Sequence, residues 1–346
     1  MKTNDTLRSF VWAIAFIMLG ASCTGHDEAV DAIAPQGGDA ISFAVKGVAV
    51  SDADTRAKGE ISASSLTNQS FGVFASYTGL HKYSDSNVSP DFMYNEQVSY
   101  NNQDGWTYSP LRYWPNGEGE DASLPRYVSF FAYAPYGSTC ISDVSNAHES
   151  GDPWITYKLA ADIANQTDLL YAMKLDQTKQ AINQPVKFEF NHALACVGDY
   201  VQIGMSQVLE TALAGKTLKL TDVSIDYTLT SKAKLVLWNN GTANWQAINS
   251  ENATTTRSVT LLSGASVVID QNTPWTDSNH GVFYIPLIVG GHVQKADVHI
   301  AYDVYDGNTK VDELSKSGTV TLILSNYAAY QPGKELDINI TLNNDN

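Results

Sequence analysis

Short runs in which apolar and polar residues alternate dominate the chain, and they predict β-strands. Residues 186–190 alternate through Val186, Phe188 and Phe190. Residues 218–229 also alternate, with a slip near Thr221 that would suit a β-bulge. A period of two places the apolar side chains on one face of a strand, where they can cover a core. Other strand-like runs are found at residues 41–50, 70–77, 127–136, 233–238, 257–262, 265–270, 281–289, 296–305, 318–324 and 335–342.

Turn-forming pairs separate these runs, and helical periodicity appears only at residues 152–164 and 206–215. The pairs are Asn116-Gly117, Asn240-Gly241, Gly290-Gly291, Asp306-Gly307 and Pro332-Gly333. Many short strands with few, short helices favour an all-β fold made of sandwiches. The polar stretch at residues 174–184 is the best boundary, which predicts one β-sandwich at residues 39–180 and a second at residues 181–346.

The first 22 residues have the three-part layout of an export signal. Lys2 and Arg8 precede an apolar run at residues 10–19, and small residues follow it at positions 20–22. The run is shorter than the roughly 20 residues that span a bilayer as a helix. Residues 23–38 are small and acidic, which is typical of a tether.

Cys23 stands directly after the small residues of that signal. The arrangement resembles a bacterial lipoprotein signal, in which the cysteine becomes the lipidated first residue of the mature chain. Asp27 and Glu28 follow closely and resemble the surface-export signal of Bacteroidetes lipoproteins. We therefore expect a surface-exposed lipoprotein of the outer membrane. The alternative is a plain signal peptide with an incidental cysteine.

Composition argues against nucleic-acid and metal binding. The chain has 21 Lys and Arg against 37 Asp and Glu, a net charge of −16, and no basic run that could bind phosphates. After Cys23, only Cys140 and Cys196 remain. An exported pair could form one disulfide, or the two could be separately placed small residues, with Cys196 buried in an apolar run. No Cys-x-x-Cys spacing indicates a zinc site.

The sequence carries no catalytic signature. G-x-S-x-G, H-E-x-x-H and P-loop patterns are absent, so we expect neither an enzyme nor a cofactor. Acidic turns at residues 117–121 and 303–308 lack the EF-hand spacing, and solvated turns are the expectation there. His192 lies between two apolar segments and is expected to be a hydrogen-bonded core or edge histidine.

Residues 105–136 carry a distinctive series of aromatic residues. A Trp-x-Tyr is followed by Tyr-Trp-Pro and then by an aromatic strand that ends in Ala-Tyr-Ala-Pro-Tyr. Residues 185–195 add a Phe-x-His-Ala-Leu segment, and a Pro-Gly turn leads into the last strand at residues 335–342. Together these features resemble the Bacteroidetes fimbrillin superfamily, in particular its Mfa-like lipoprotein branch.

The resemblance implies two tandem transthyretin-like β-sandwiches in a pilus subunit, or in an anchor or tip protein that supports adhesion. In family pilins an Arg-specific protease removes the first strand, and a strand of another fimbrillin subunit fills the groove. Here the removable strand would be residues 41–50, and the cut would fall between Arg56 and Ala57. The alternative is that Arg56 is a loop residue and that the anchored subunit stays unprocessed.

Two further alternatives concern ligands and the last strand. A surface lipoprotein could bind glycans through exposed tryptophans without polymerising, and its ligand would lie on a host or bacterial surface. A secreted glycosidase has no supporting motif. Residues 335–342 could be the strand that is donated to a partner, or they could complete the chain's own sandwich.

Overall fold

The computed structural model describes residues 40–49, 61–85, 87–116, 123–179, 184–248, 254–278, 280–288, 293–327 and 330–344. These residues form strands with two short helices, α1 (Ala63–Leu66) and α2 (Gln207–Leu213), so the expected all-β class is confirmed. The strands are β1 (Phe43–Val48), β2 (Ser70–Gly79), β3 (Met93–Asn101), β4 (Gly105–Thr107), β5 (Tyr127–Ala134), β6 (Ile141–Val144), β7 (Trp154–Lys158), β8 (Leu170–Gln177), β9 (Val186–His192), β10 (Leu194–Met205), β11 (Thr217–Thr230), β12 (Lys232–Leu237), β13 (Ala243–Ala247), β14 (Thr254–Leu262), β15 (Val267–Ile269), β16 (Trp275–Asp277), β17 (Phe283–Pro286), β18 (Lys295–Asp306), β19 (Thr309–Lys310), β20 (Lys316–Ile323) and β21 (Glu335–Leu342).

The alternating runs form strands with one buried face. In β9 the side chains of Val186, Phe188 and Phe190 are buried, while those between them reach the surface. The helical expectation is confirmed at residues 206–215, where α2 forms. It is wrong at residues 152–164, because β7 forms there and pairs antiparallel with β12.

The strands are arranged in four sheets. The largest has the order β1-β9-β8-β5-β2-β3-β4, and a four-stranded sheet has the order β13-β12-β7-β6. In a third sheet β10 pairs with β16, β17 and β21. In the fourth, β11 lies between β14 and β18, and β20 adds to the outer edge of β18.

Three apolar clusters fill the spaces that these sheets enclose. One lies inside the curled seven-stranded sheet, where Phe43 of β1 packs on Tyr108, just after β4. A central cluster lies between the outer face of that sheet and the four-stranded sheet. The third fills a sandwich between the β10 and β11 sheets. Residues 130 and 131 of β5 point into the first and the central cluster respectively, which explains why β5 is apolar throughout.

Strand pairing crosses the boundary that we expected at residue 181. β9 pairs with β1 and β8, and β12 pairs with β7, so two sheets contain strands from both sides. The polar stretch at residues 174–184 joins β8 to β9, which are antiparallel neighbours. A polar strand connection and a domain linker have the same composition, and so the sequence does not separate them. The transthyretin-like topology of two tandem sandwiches stays a prediction.

Gly72 of β2 provides a test of the packing. It lies opposite Tyr133 of β5, and a β-carbon built on it would be 2.5 Å from the Tyr133 ring. We expect Gly72→Ala to destabilise the protein by about 1–3 kcal/mol through overpacking, as measured by urea unfolding. Gly318→Ala on β20 is the matched control, because nothing lies within 4 Å of its β-carbon position. Equal effects of the two substitutions would contradict this packing.

Candidate strand-exchange site

β1 is an edge strand of the seven-stranded sheet. Within the described part of the chain its strand partner is β9, and the two run parallel. Phe43 lies opposite Val186 and Val48 lies opposite Phe190, with a register shift between Val45 and Gly47. A parallel edge strand is attached through one row of main-chain hydrogen bonds, and its other side is open to further pairing.

The side chains of β1 make it part of the core. Phe43, Val45 and Val48 of β1, and Ile41 just before it, are at most 1% exposed. Lys46 faces outward and forms a 3.1 Å ion pair with Glu189 of β9. Burying each large apolar side chain contributes about 1.5–3 kcal/mol relative to leaving it in water. Removal of β1 would therefore open a row of apolar pockets.

Phe43 is the anchor of this row. Its ring stacks on Phe188 at a centroid distance of 5.5 Å, and Phe130 contacts it edge-on at 5.7 Å. Phe71 and Tyr108 complete the surrounding rings at 6.3 and 5.4 Å. Such aromatic contacts add about 0.5–1.5 kcal/mol per pair beyond the area that they bury. The pocket under Phe43 thus selects for a large aromatic or apolar side chain.

Residues 108–113 hold the start of β1 from the side opposite β9, and we call this segment the clasp. Ile41 N–H donates to the Arg112 carbonyl at 2.8 Å, and a β-bridge joins Ala40 to Tyr113. The Tyr108 hydroxyl donates to the Ile41 carbonyl at 2.9 Å and accepts from Arg112 N–H at 3.1 Å. Burial raises the pKa of Tyr108 to about 12, so the hydroxyl keeps its proton at neutral pH. β1 therefore begins in a groove between β9 and the clasp.

The chain is fixed again soon after β1. Ile61 N–H donates to Asp168 Oδ2 at 3.3 Å, and the same oxygen lies 2.7 Å from His192 Nδ1 at the end of β9. Asp168 is 2% exposed, and Ile61 and Leu66 are buried in the first cluster. The Asp168 carboxylate thus pairs with two buried groups. Left without a hydrogen-bond partner, each of them would lower the stability of the fold. The expectation of a hydrogen-bonded core histidine at position 192 is confirmed.

β1 and β21 lie one after the other along the same edge of β9 and β10. β9 and β10 form one extended run. At its start, Val186 N–H donates to the carbonyl of Ser42, the residue just before β1. Cys196 N–H donates to the Lys334 carbonyl, which precedes β21. These two donors are an even number of residues apart and therefore face the same edge, whereas Ala193 N–H faces the other edge and donates to Leu169. Both terminal strands are parallel to the run.

The structure places the remaining predicted residues as follows. Cys23, Arg56 and Ala57 lie outside the described residues. Cys140 and Cys196 are both buried in the central cluster, and a disulfide between them stays a prediction. No helix among the described residues is long and apolar enough to cross a membrane. Across the same residues, no group of three or more His, Cys, Asp or Glu side chains could hold a metal ion.

Sequence reasoning missed the clasp and the pairing of Asp168 with His192. Tyr108 belongs to the Trp-x-Tyr pattern at residues 106–108, so that pattern marks a residue that holds β1. Asp168 and His192 are separated by 24 positions, and only the antiparallel pairing of β8 with β9 brings them together. No local pattern in the sequence indicates that contact.

Comparison with known proteins supplies the family. The model of a family described as fimbrillin-like matches residues 55–346, which is more than half of the chain and begins just after β1. The chain belongs to the fimbrillin-like family. The expected membership is therefore confirmed. No curated protein matches the chain.

The solved structures that match the chain include proteins described as fimbrial or cell adhesion proteins. A putative cell adhesion protein from Bacteroides uniformis is 18% identical over 89% of this chain and 94% of its own, with a TM-score of 0.39. The fimbrial anchor protein Mfa2 from Porphyromonas gingivalis is 11% identical over 88% and 90%, with a TM-score of 0.35. A fimbrial protein from Bacteroides ovatus is 11% identical over 89% of this chain and 51% of its own, with a TM-score of 0.33.

Substitutions in β1 test its anchoring. In the uncut chain we expect Phe43→Ala to destabilise the protein by about 3–5 kcal/mol, because it empties a pocket lined by four rings. Lys46→Ala on the same strand should cost less than about 1 kcal/mol, since it removes an exposed ion pair. Urea unfolding of both variants measures the difference. Equal and small effects would show that β1 is not packed as described.

Proposed function

We propose that this protein is a surface lipoprotein of fimbriae, either a pilus subunit or an accessory anchor or tip protein that supports adhesion. It joins other fimbrillin subunits by strand exchange, with the β1 groove as the acceptor. One observation carries the proposal: β1 fills the first cluster with its side chains, yet it is an edge strand attached to β9 and the clasp.

Release of β1 would leave main-chain groups without hydrogen-bond partners and apolar pockets open to water. The main-chain groups of β9 that face β1 would lose their partners, and the pockets of Ile41, Phe43, Val45 and Val48 would be exposed. A partner strand restores both at once, because its main chain supplies the hydrogen bonds and its alternate side chains fill the pockets. The exchange uses hydrogen bonds and apolar burial and requires no cofactor or catalytic residue.

The flanks of the proposed cut support this role. Arg56 and Ala57 fall between Ala49, whose N–H donates to Phe190 at 2.7 Å, and Ile61, which is held by Asp168. A cut between these anchored ends would free β1 and leave the rest of the fold attached through its own contacts. It would also separate the protein from the proposed lipid on Cys23.

β21 favours an accessory position over a shaft position. Leu336, Ile338 and Ile340 are buried in the third cluster, so the strand completes the chain's own sandwich. Donating it to a neighbour would expose that cluster unless another strand replaced it. We therefore propose that this protein, once cut, accepts a strand at the β1 groove and keeps β21, as a tip protein can.

Arg-specific proteolysis tests the proposal. We expect the wild-type protein to yield a chain that begins at Ala57 by intact-mass analysis, and to form a ladder of oligomers with fimbrillin subunits on gels. Arg56→Lys should stay uncut at this position and monomeric, because it keeps the positive charge but removes the protease's specificity residue. A wild-type protein that is cut at Arg56 and stays monomeric would contradict strand exchange.

The lipid anchor has its own control. Uncut protein should begin at an acylated Cys23, and Cys23→Ser should lose incorporation of labelled palmitate. Retained labelling of the Cys23→Ser variant would contradict the anchor. Because the label and the ladder are separate readouts, the two parts of the proposal fail independently.

A further inference from the structure

A polar depression of about 700 Å³ opens at the ends of β2, β3 and β5. Its walls are residues 67–70 after α1, residues 99–100 at the end of β3, residues 135–139 after β5, and Thr167. None of these residues is charged, although the chain contains 58 Lys, Arg, Asp and Glu residues (21 basic and 37 acidic). The depression is therefore a neutral surface on a strongly acidic protein.

Several polar side chains in the depression have unused hydrogen-bonding capacity. Among the described residues, the amides of Asn68 and Gln69, the hydroxyl of Thr139 and the hydroxyls of Tyr100 and Tyr136 have no intramolecular partner. Amides supply both donors and acceptors, and each hydroxyl can act as either. The residues that carry these groups line the depression and could bind a ligand rich in hydroxyls.

The rings of Tyr100 and Tyr136 each contact a buried aromatic side chain. Tyr100 packs edge-on against buried Trp106 at a centroid distance of 5.3 Å, and Tyr136 lies 6.4 Å from buried Tyr133. Tyr136 N–H also donates to the Ser70 carbonyl at 2.7 Å, which ties the two walls together. Half-buried rings on a fixed backbone are preorganised, so a ligand that stacks on them loses little of its binding energy to ordering.

We propose that this depression binds a neutral saccharide. Sugar hydroxyls match the free amide and hydroxyl groups, and the apolar faces of pyranose rings stack on tyrosine rings. Surfaces rich in Tyr, Ser, Gly and Asn combine rigid aromatic contact with adaptable hydrogen bonding in the same way in antibody combining sites. The lining offers no Lys or Arg to a carboxylate or sulfate, and a net charge of −16 repels anions. Acidic glycans are therefore excluded.

A glycan array probed with the full-length protein tests this site. The array carries mannose-, glucose-, galactose- and N-acetylglucosamine-terminated oligosaccharides beside sialylated and sulfated ones of the same core. We expect binding to at least one neutral class and none to the acidic counterparts. Absence of binding to every neutral class, or stronger binding to the acidic forms, would overturn the proposal.

Variants locate the binding on the protein. Tyr136→Ala should weaken binding of the array's best neutral oligosaccharide about tenfold, because it removes a stacking ring. Asn68→Ala, in an exposed turn, should weaken it about fivefold by deleting a hydrogen bond. Tyr77→Ala is the control, since Tyr77 is 39% exposed and lies outside both the depression and the clasp. Titration calorimetry on variants with wild-type thermal unfolding gives the ratios. Unchanged affinity in both Tyr136→Ala and Asn68→Ala would overturn the assignment.

Saccharide binding does not depend on strand exchange. The depression involves no residue of β1 or the clasp, so an uncut monomer should bind the sugar as well as a processed one. Failure of the array experiment would leave the ladder experiment unaffected, and the reverse also holds.

Discussion

The extended run formed by β9 and β10 is the element on which the rest of the structure depends. It belongs to two sheets, and its one edge holds both terminal strands in parallel, with β1 first and β21 after it. Each of the three apolar clusters contains side chains from this run. Because β1 and β21 pair with no other strand in the described part of the chain, their stability depends chiefly on hydrogen bonds to this one edge and on burial behind it.

The same arrangement is consistent with the proposed exchange of β1 for a strand of another subunit. β1 contributes four buried apolar side chains, which is enough to keep it in place while the chain is intact. Among the described residues, however, its main chain is bonded along its length to β9 and, on the other side, to the clasp near Ile41. Cutting the connection to Ile61 would turn an intramolecular strand into a separate peptide, which a partner strand at high local concentration can displace.

The sequence predicted the elements whose signal is local, and it failed where the signal is not local. Alternation in β9, β11 and β21 reports one buried face directly, and the aromatic series at residues 105–136 together with Phe-x-His-Ala-Leu identified the family. The helical reading of residues 152–164 failed because two packed faces around β7 outweigh a weak period. Pairing across residue 181, the clasp and the contact of Asp168 with His192 arise from tertiary structure alone.

The central claim is that the β1 groove accepts a strand from outside. The most direct measurement is the thermal midpoint of the chain from Ala57 onward, freed of its β1 fragment and mixed with a synthetic peptide of residues 41–50. Our account predicts a lowered midpoint without the peptide, recovery with it, and little recovery with a peptide that carries Phe43→Asp. An unchanged midpoint after loss of β1, or equal recovery with both peptides, would contradict it.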